Sequence, residues 1–442
     1  MILKIESLPD DLTPDKISPS LFERPYFFLL ESSLAGGEEG RYSIAAFDPV
    51  VVHKLPQSTE LPSLTEPWIP PDPPGFTKHV ASDLPFAGGW IGYLSYECGV
   101  SQEKKVPARQ PDLLPWRVFC FYDRFYLYDH RNKKAHFVSL SISSDPATSD
   151  IGEITRISKD SLKPSGLQKK EAPSSEMTKE DSIAAIRKIK NYIEAGDCYQ
   201  VNLSQRFSSK TSESPYRIYQ KLRRISPAPY ASFLNLGDAQ VISSSPESFL
   251  KIDGDDIFTQ PIKGTRRRGR TNAEDQELRE ELWHSSKDRA ELLMITDLER
   301  NDLGKIGVPG SVQVPHIGRI ESYAQVHHLV SKISGKILPD KNINDVLKAV
   351  FPGGSITGAP KVRAMQIIRD LETVPRNIYC GAIGYVSLNG KAQFNIAIRT
   401  MVMRDGQVHF WSGGGIVADS DPEAEWQEIL VKSRGMIEAL KE

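Results

Sequence analysis

The stretch Asp197–Phe207, DCYQVNLSQRF, alternates along its length. In extended backbone Tyr199, Val201, Leu203 and Phe207 fall on one face, and Gln200, Asn202, Ser204 and Arg206 on the other. One face can pack while the other lines a polar cavity. Just upstream, Thr178 with Asp181 three residues on reads as a capping box, and Ile183, Ile186, Ile189 and Ile193 continue as an apolar helical stripe until Gly196. Helix followed directly by a half-polar strand is the first unit of the fold.

Outward from this unit, strands and helices follow in irregular order, with neither a βαβ rhythm nor an internal repeat. The pattern predicts a mixed, largely antiparallel α+β layer structure. Toward the N-terminus, Trp116–Tyr128 (WRVFCFYDRFYLY) is aromatic and β-branched, and GGWIGYLSYECG places glycines between strands. Two runs read as irregular chain: the proline-rich Leu55–Phe76, and the Ser/Lys/Pro-rich 141–177, which has no aromatic residue. The expected organisation is a strand-rich domain over 1–140, a linker over 141–177 and a second domain over 178–442.

Bulk properties narrow the function. The 442 residues carry 55 Lys plus Arg against 57 Asp plus Glu, so no field favours nucleic acid or an anionic membrane. Cys98, Cys120, Cys198 and Cys380 have neither metal-site spacing nor disulfide density and read as reduced, buried thiols. The start, MILKIESLPDDL, lacks a basic n-region, and no segment reaches the roughly 20 apolar residues of a membrane span, so the cytoplasm is the expected compartment.

Several constellations could carry chemistry. Asp288 and Glu291 stand i,i+3 on a helix reading KDRAELLMITDLER. Glu425 and Glu428 do the same on DPEAEWQEILVKSRGMIEAL, where Asp421 is the expected N-cap, Pro422 the first residue, and Trp426, Ile429, Leu430, Met436, Ile437 and Leu440 the buried stripe. Two such pairs suit a hard divalent ion such as Mg2+; solvated faces with salt bridges such as Glu428 to Lys432 fit the same spacing. Gly413–Gly415 and GGSITGAPK (Gly353–Lys361) can offer bare backbone N–H groups to an anion or serve as plain turns. The second is no Walker A loop, because Ala359 and Pro360 intervene before Lys361 and Val362 follows it. In PIKGTRRRG, Lys263 is either a surface amine or, partly buried near other cations, a nucleophile. The pair His327-His328 and Glu247 in SSSPESF are either acid–base groups or ordinary hydrogen-bonded side chains.

Taken together, GDCYQVNLSQRF, SSSPESFLKI, PIKGTRRRG, KDRAELLMITDLERNDLG, HHLVS, GGSITGAPKVRAMQ, IYCGAIGY, NIAIRT, SGGGIVADSDP and EWQEILVKS resemble, in order, the chorismate-utilising family. That family includes anthranilate and aminodeoxychorismate synthase components I and the isochorismate and salicylate synthases. The resemblance runs from about Lys179 to Lys441 and more weakly through the N-terminal part. It implies a fold like that of anthranilate synthase component I, with antiparallel β-sheets in a sandwich-like core flanked by helices. It further implies Mg2+ ligation by Glu291 and Glu428, assisted by Asp288 and Glu425, on the ring carboxylate of chorismate. Tyr379, Arg399 and the amides of Gly413, Gly414 and Gly415 would hold the enolpyruvyl carboxylate. Ser355 and His328 would lie near the ring and its leaving hydroxyl, with Gln200 and Lys432 also lining the substrate.

Within the family, the lysine of PIKGT resembles the aminodeoxychorismate synthases, where anthranilate synthases read PIAGT. Lys263 would attack the ring, Glu247 would protonate the departing hydroxyl, and ammonia would displace the lysine. Gln200, in place of the lysine of water-adding relatives, favours ammonia as the incoming nucleophile. No Cys of a GxCxG glutaminase elbow is present, so a separate glutamine amidotransferase subunit is implied. LLES (Leu29–Ser32) with Arg41 and Tyr42, and PAPY ending in Pro229 and Tyr230, resemble the family's tryptophan pocket, although Ser226 to Tyr230 departs from the NPSPY pattern. Competing readings are anthranilate synthase component I and a non-catalytic tryptophan-binding sensor.

Overall fold

The structure, a computed structural model, describes residues 2–17, 19–33, 40–57, 66–76, 80–141, 172–323 and 326–441. Most of the expected linker lies outside the described residues. The described strands form two antiparallel sheets of twelve and ten strands. Their facing sides bury one large core: Phe28, Leu127 and Trp411 from the first sheet meet Trp90, Phe119 and Phe394 from the second. The α+β, sandwich-like expectation holds.

Both sheets are composite. In the first, Phe28–Glu31 pairs with Tyr230–Asn235; in the second, Gly89–Leu94 pairs with Ala382–Ser387. Strands of 1–140 and of 178–442 are thus neighbours in each sheet, and neither stretch closes a sheet of its own.

Helices cover the flanks. Lys179–Glu194 begins with the predicted Thr178/Asp181 capping box and packs Ile186 and Ile189 with Val201 and Leu203 of the strand Gln200–Lys210. The alternation in that strand is correct for Val201 and Leu203. Tyr199 departs from it, lying before the strand and 70 % exposed. Its polar partners Gln200, Asn202, Ser204 and Arg206 are buried rather than solvated. Pro422–Lys441 starts as expected, Asp421 Oδ1 accepting from the Ala424 amide at 2.9 Å, and buries Trp426, Ile429, Met436 and Leu440. All four cysteines are buried free thiols. Among the described residues, no helix is long and apolar enough to cross a membrane.

Candidate active site

Lys263 lies on Ile262–Arg267, an edge strand paired with Val326–Lys336. The register slips between Lys263 and Thr265, around Gly264, whose φ is +71°. Only glycine suits that position, because a Cβ would also come within 2.8 Å of Asp288 Cγ and Leu282 Cδ1. Lys263 points inward, its Nζ donating to the Ser355 carbonyl at 3.3 Å. The surface-amine reading of this lysine is therefore set aside. The arginines that follow it are spent locally: Arg266 on Glu281 and Asp288, Arg267 on Glu274, and Arg268 on Asp275.

Glu247 sits between the strands Ala239–Ser245 and Ser248–Asp253, 7 % exposed, with Oε1 buried and without a hydrogen-bond partner. Burial pushes its carboxyl up; neighbouring Lys263, Ser355, the Ile262 amide and Lys432 pull it only part of the way back. The result is an acid poised beside the lysine. Ser355 Oγ and both amide atoms of Gln200 are likewise buried and unpartnered, so the polar atoms expected to face substrate are left free to do so.

The carboxylates of Ser286–Gly304 and Pro422–Lys441 come together beside them. Burial raises Glu291, opposed by Lys263 and Lys287 and reinforced by Asp288 and Glu425. Glu425 is also raised by burial despite a 2.6 Å bond from the Ser420 hydroxyl, with Glu428 adding to the rise. Burial acts in the same sense on Glu428, but Lys432 at 2.7 Å, with Lys287 and Lys263, holds it below the usual carboxylate range. The predicted Glu428–Lys432 salt bridge is thus present within the site. Asp288 pairs with Arg266 at 3.3 Å and packs against Gly264, close enough to Glu291 for its charge to raise that carboxyl. Among the described residues, no three acidic, His or Cys side chains converge as an assembled ion site. Glu291, Glu425 and Glu428 nonetheless fit a hard cation by chemistry: carboxylate oxygens on two helices, Glu425 buried, Glu291 partly buried and Glu428 open to solvent, with Glu425 raising Glu291 and Glu428 raising Glu425.

Gly413–Gly415 ends the strand Gln407–Ile416, which pairs with Gln200–Lys210 so that Gly415 faces Asn202 and Gly413 faces Ser204. A Cβ on Gly414 would lie 3.3 Å from Glu425 Oε2, and one on Gly415 would lie 3.0 Å from Gln200 Nε2. Bare backbone therefore meets the acidic helix on one side and Gln200 on the other. Arg399, at φ +50°, donates to Ser226 Oγ at 3.2 Å and has no ion pair among the described residues; burial lowers its hold on its proton. It faces His328, whose Nδ1 lies 2.9 Å from Thr265 Oγ1 and whose pKa burial, with Arg399, lowers to about 4. At neutral pH His328 is an uncharged imidazole rather than a cation. Tyr379 stacks on Trp411 at 6.2 Å, with the Arg376 guanidinium 5.8 Å from its ring. Arg376 was not singled out by sequence reasoning; the only signal was its place in PRNIYCG, three residues before Tyr379.

A cavity of about 310 Å³ lies elsewhere, between the two sheets. Arg41, Tyr42, Pro229 and Tyr230 line it as expected; Ser32 does not, and its neighbour Glu31 does. Here the charges are engaged: Arg41 grips Asp129 at 2.7 Å, and Glu31 accepts from Tyr219 and pairs with Arg223 at 2.8 Å.

Comparison with known proteins points the same way as this geometry. Residues 29–438 match the model of the chorismate binding enzymes. The chain is 38% identical to aminodeoxychorismate synthase component 1 of Bacillus subtilis, over 95% of this chain and 92% of that one. It is 36% identical to anthranilate synthase component 1 of Acetivibrio thermocellus, over 99% and 94%. The crystal structure of anthranilate synthase component I from Streptococcus pneumoniae superposes with a TM-score of 0.79 at 30% identity, over 91% of this chain and 93% of that one. With an inward lysine, a buried acid and paired acidic helices around one cleft, the chain belongs to the family of chorismate binding enzymes.

Proposed function

We propose that this chain is component I of an aminodeoxychorismate synthase, acting in the cytoplasm on chorismate with ammonia from a separate glutamine amidotransferase subunit, and feeding p-aminobenzoate and folate synthesis. Identity alone does not choose between the two synthases, at 38% and 36%. The observation that carries the choice is the inward amine of Lys263, held 3.3 Å from the Ser355 carbonyl and beside Glu247.

In its amine form, Lys263 attacks C2 of chorismate; both conjugated ring double bonds shift, and the C4 hydroxyl departs as water with the proton of Glu247. Ammonia then adds at C4, both double bonds shift back and the lysine nitrogen leaves C2. The Glu247 carboxylate recovers a proton from the newly formed C4 ammonium. Arg399 and the amides of Gly413–Gly415 would bind the enolpyruvyl carboxylate, supported by Tyr379, and neutral His328 would border the ring. Glu291 and Glu428, with Glu425, would hold Mg2+, which when bound neutralises the ring carboxylate. Tryptophan is the proposed occupant of the 310 Å³ cavity.

The test incubates the protein with chorismate, Mg2+ and excess ammonium, and follows products and protein mass. The expected result is 4-amino-4-deoxychorismate with an adduct on Lys263 that is absent from Lys263→Ala. Anthranilate as the main product, with unmodified lysine, would replace this reading by the anthranilate synthase one.

A further inference from the structure

Behind the cleft lies a buried arginine that the chemistry above does not use. Arg376 is 1 % exposed. Its fork meets both oxygens of Glu372, at 2.9 Å through Nε and 2.6 Å through Nη2. The remaining donors reach two backbone carbonyls: Ile356 at 3.0 Å through Nη1 and Asn202 at 2.7 Å through Nη2. Ile356 follows Ser355, the residue whose carbonyl receives Lys263. Asn202 lies two residues from Gln200 on the strand that faces Gly415. Glu372 in turn accepts from the amide and hydroxyl of Ser204, both at 2.8 Å. Burial opposes the guanidinium charge, and Glu372 more than offsets it.

On the reading that Lys263 is the nucleophile, we propose that Arg376 is a positioning residue, which locks the Ser355 turn to the Gln200 strand and so fixes where the Lys263 amine stands. Only a planar fork spans a carboxylate and two carbonyls from different segments at once; an ammonium on a flexible stem keeps the charge and loses the span. A displacement near 1 Å in such a site costs rate more than binding, roughly 10²-fold in turnover.

The experiment uses two variants of the full chain with ammonium as nitrogen donor. Arg376→Lys retains a cation for Glu372. The double variant Arg376→Met with Glu372→Met removes both charges, so no orphan carboxylate is left buried. Turnover, KM for chorismate and Tm are measured for each, beside Lys263→Ala. The expected result is a fall in kcat of roughly ten- to a hundredfold in both, with KM within about threefold and with the loss persisting at temperatures where each variant is fully folded. The proposal is overturned if kcat stays within about threefold of wild type in either variant, if the loss falls in KM alone, or if it vanishes once Tm is accounted for. Should Lys263→Ala turn over normally, it is the nucleophile reading that fails; should Lys263→Ala be inactive while Arg376→Lys is unimpaired, only the positioning role fails.

Discussion

The cleft around Lys263 and the cavity around Tyr42 differ in how they hold their charged groups. In the cleft, Glu247 Oε1, Ser355 Oγ and the amide of Gln200 have no hydrogen-bond partners among the described residues, and the partly buried Arg399 has no carboxylate partner among them. In the cavity, Arg41 is committed to Asp129 and Glu31 to Tyr219 and Arg223, while Glu31 Oε2 and Ser232 Oγ have no hydrogen-bond partner among the described residues. Leaving a polar group unsatisfied costs stability, so a fold concentrates such groups where a substrate will satisfy them. Volume marks where a molecule fits; an amine beside a raised acid and a cation without a carboxylate mark where chemistry is expected.

The sharpest way to break this contrast is at Lys263. Lys263→Ala is expected to lower formation of the C4-aminated product by roughly 10³-fold or more, with the folded state intact by circular dichroism. Retained activity would remove the distinction between cleft and cavity. Glu247→Gln comes next, with a loss of roughly 10²-fold. Its pH profile is the more telling measurement. Burial raises Glu247, and the acid form is the competent one, so wild-type rate is present below its pKa and is lost as pH rises through it; the residual rate of the variant lacks that limb. Arg399→Gln is expected to raise KM for chorismate by about tenfold or more, since a charge-assisted bond to a carboxylate is lost. Because the same change removes a buried unpaired cation, Tm should hold or rise.

The smallest effects belong to the cavity. Tyr42→Phe should leave kcat/KM within about twofold when no ligand is added. Glu31→Gln tests the cavity by stability instead. Burial raises Glu31 from 4.5 to about 7, so the fold favours its acid form. That contribution is fully present below 4.5 and is lost as pH rises through about 7. Denaturant midpoints of the variant should therefore vary less across this window than those of wild type. Equal slopes would show that Glu31 is not the group that titrates there.

Local patterns in the chain were legible where one element satisfies its own requirements. The capping box at Thr178, the stripe from Ile186 to Ile189 and the Pro422 helix start all follow from residues within a turn of each other. What escaped reading was decided at long range. The pairing of Asp288 with Arg266, and the bulge at Gly264 that packs against it, are not announced by spacing. Tyr199 has the right parity for burial, yet it precedes the first paired residue and stays in solvent. Arg376 looks like any surface arginine until Glu372, Ile356 and Asn202 are seen to close around it. The site itself is drawn from segments more than two hundred residues apart, as Gly415 opposite Asn202 and against the Gln200 side chain illustrates.

The pairing of Phe28–Glu31 with Tyr230–Asn235, and of Gly89–Leu94 with Ala382–Ser387, sets a condition on biogenesis. As the polypeptide leaves the ribosome, Phe28–Glu31 and Gly89–Leu94 each meet one neighbour early, Tyr42–Ala46 and Arg117–Tyr122, while the other edge waits for Tyr230–Asn235 in mid-chain and Ala382–Ser387 near the end. Such late closure slows assembly and exposes the nascent chain to aggregation in the interval. A truncation before residue 382 strands the Gly89–Leu94 rim permanently, so the burden on cellular chaperones should rise steeply for any shortened version of this polypeptide.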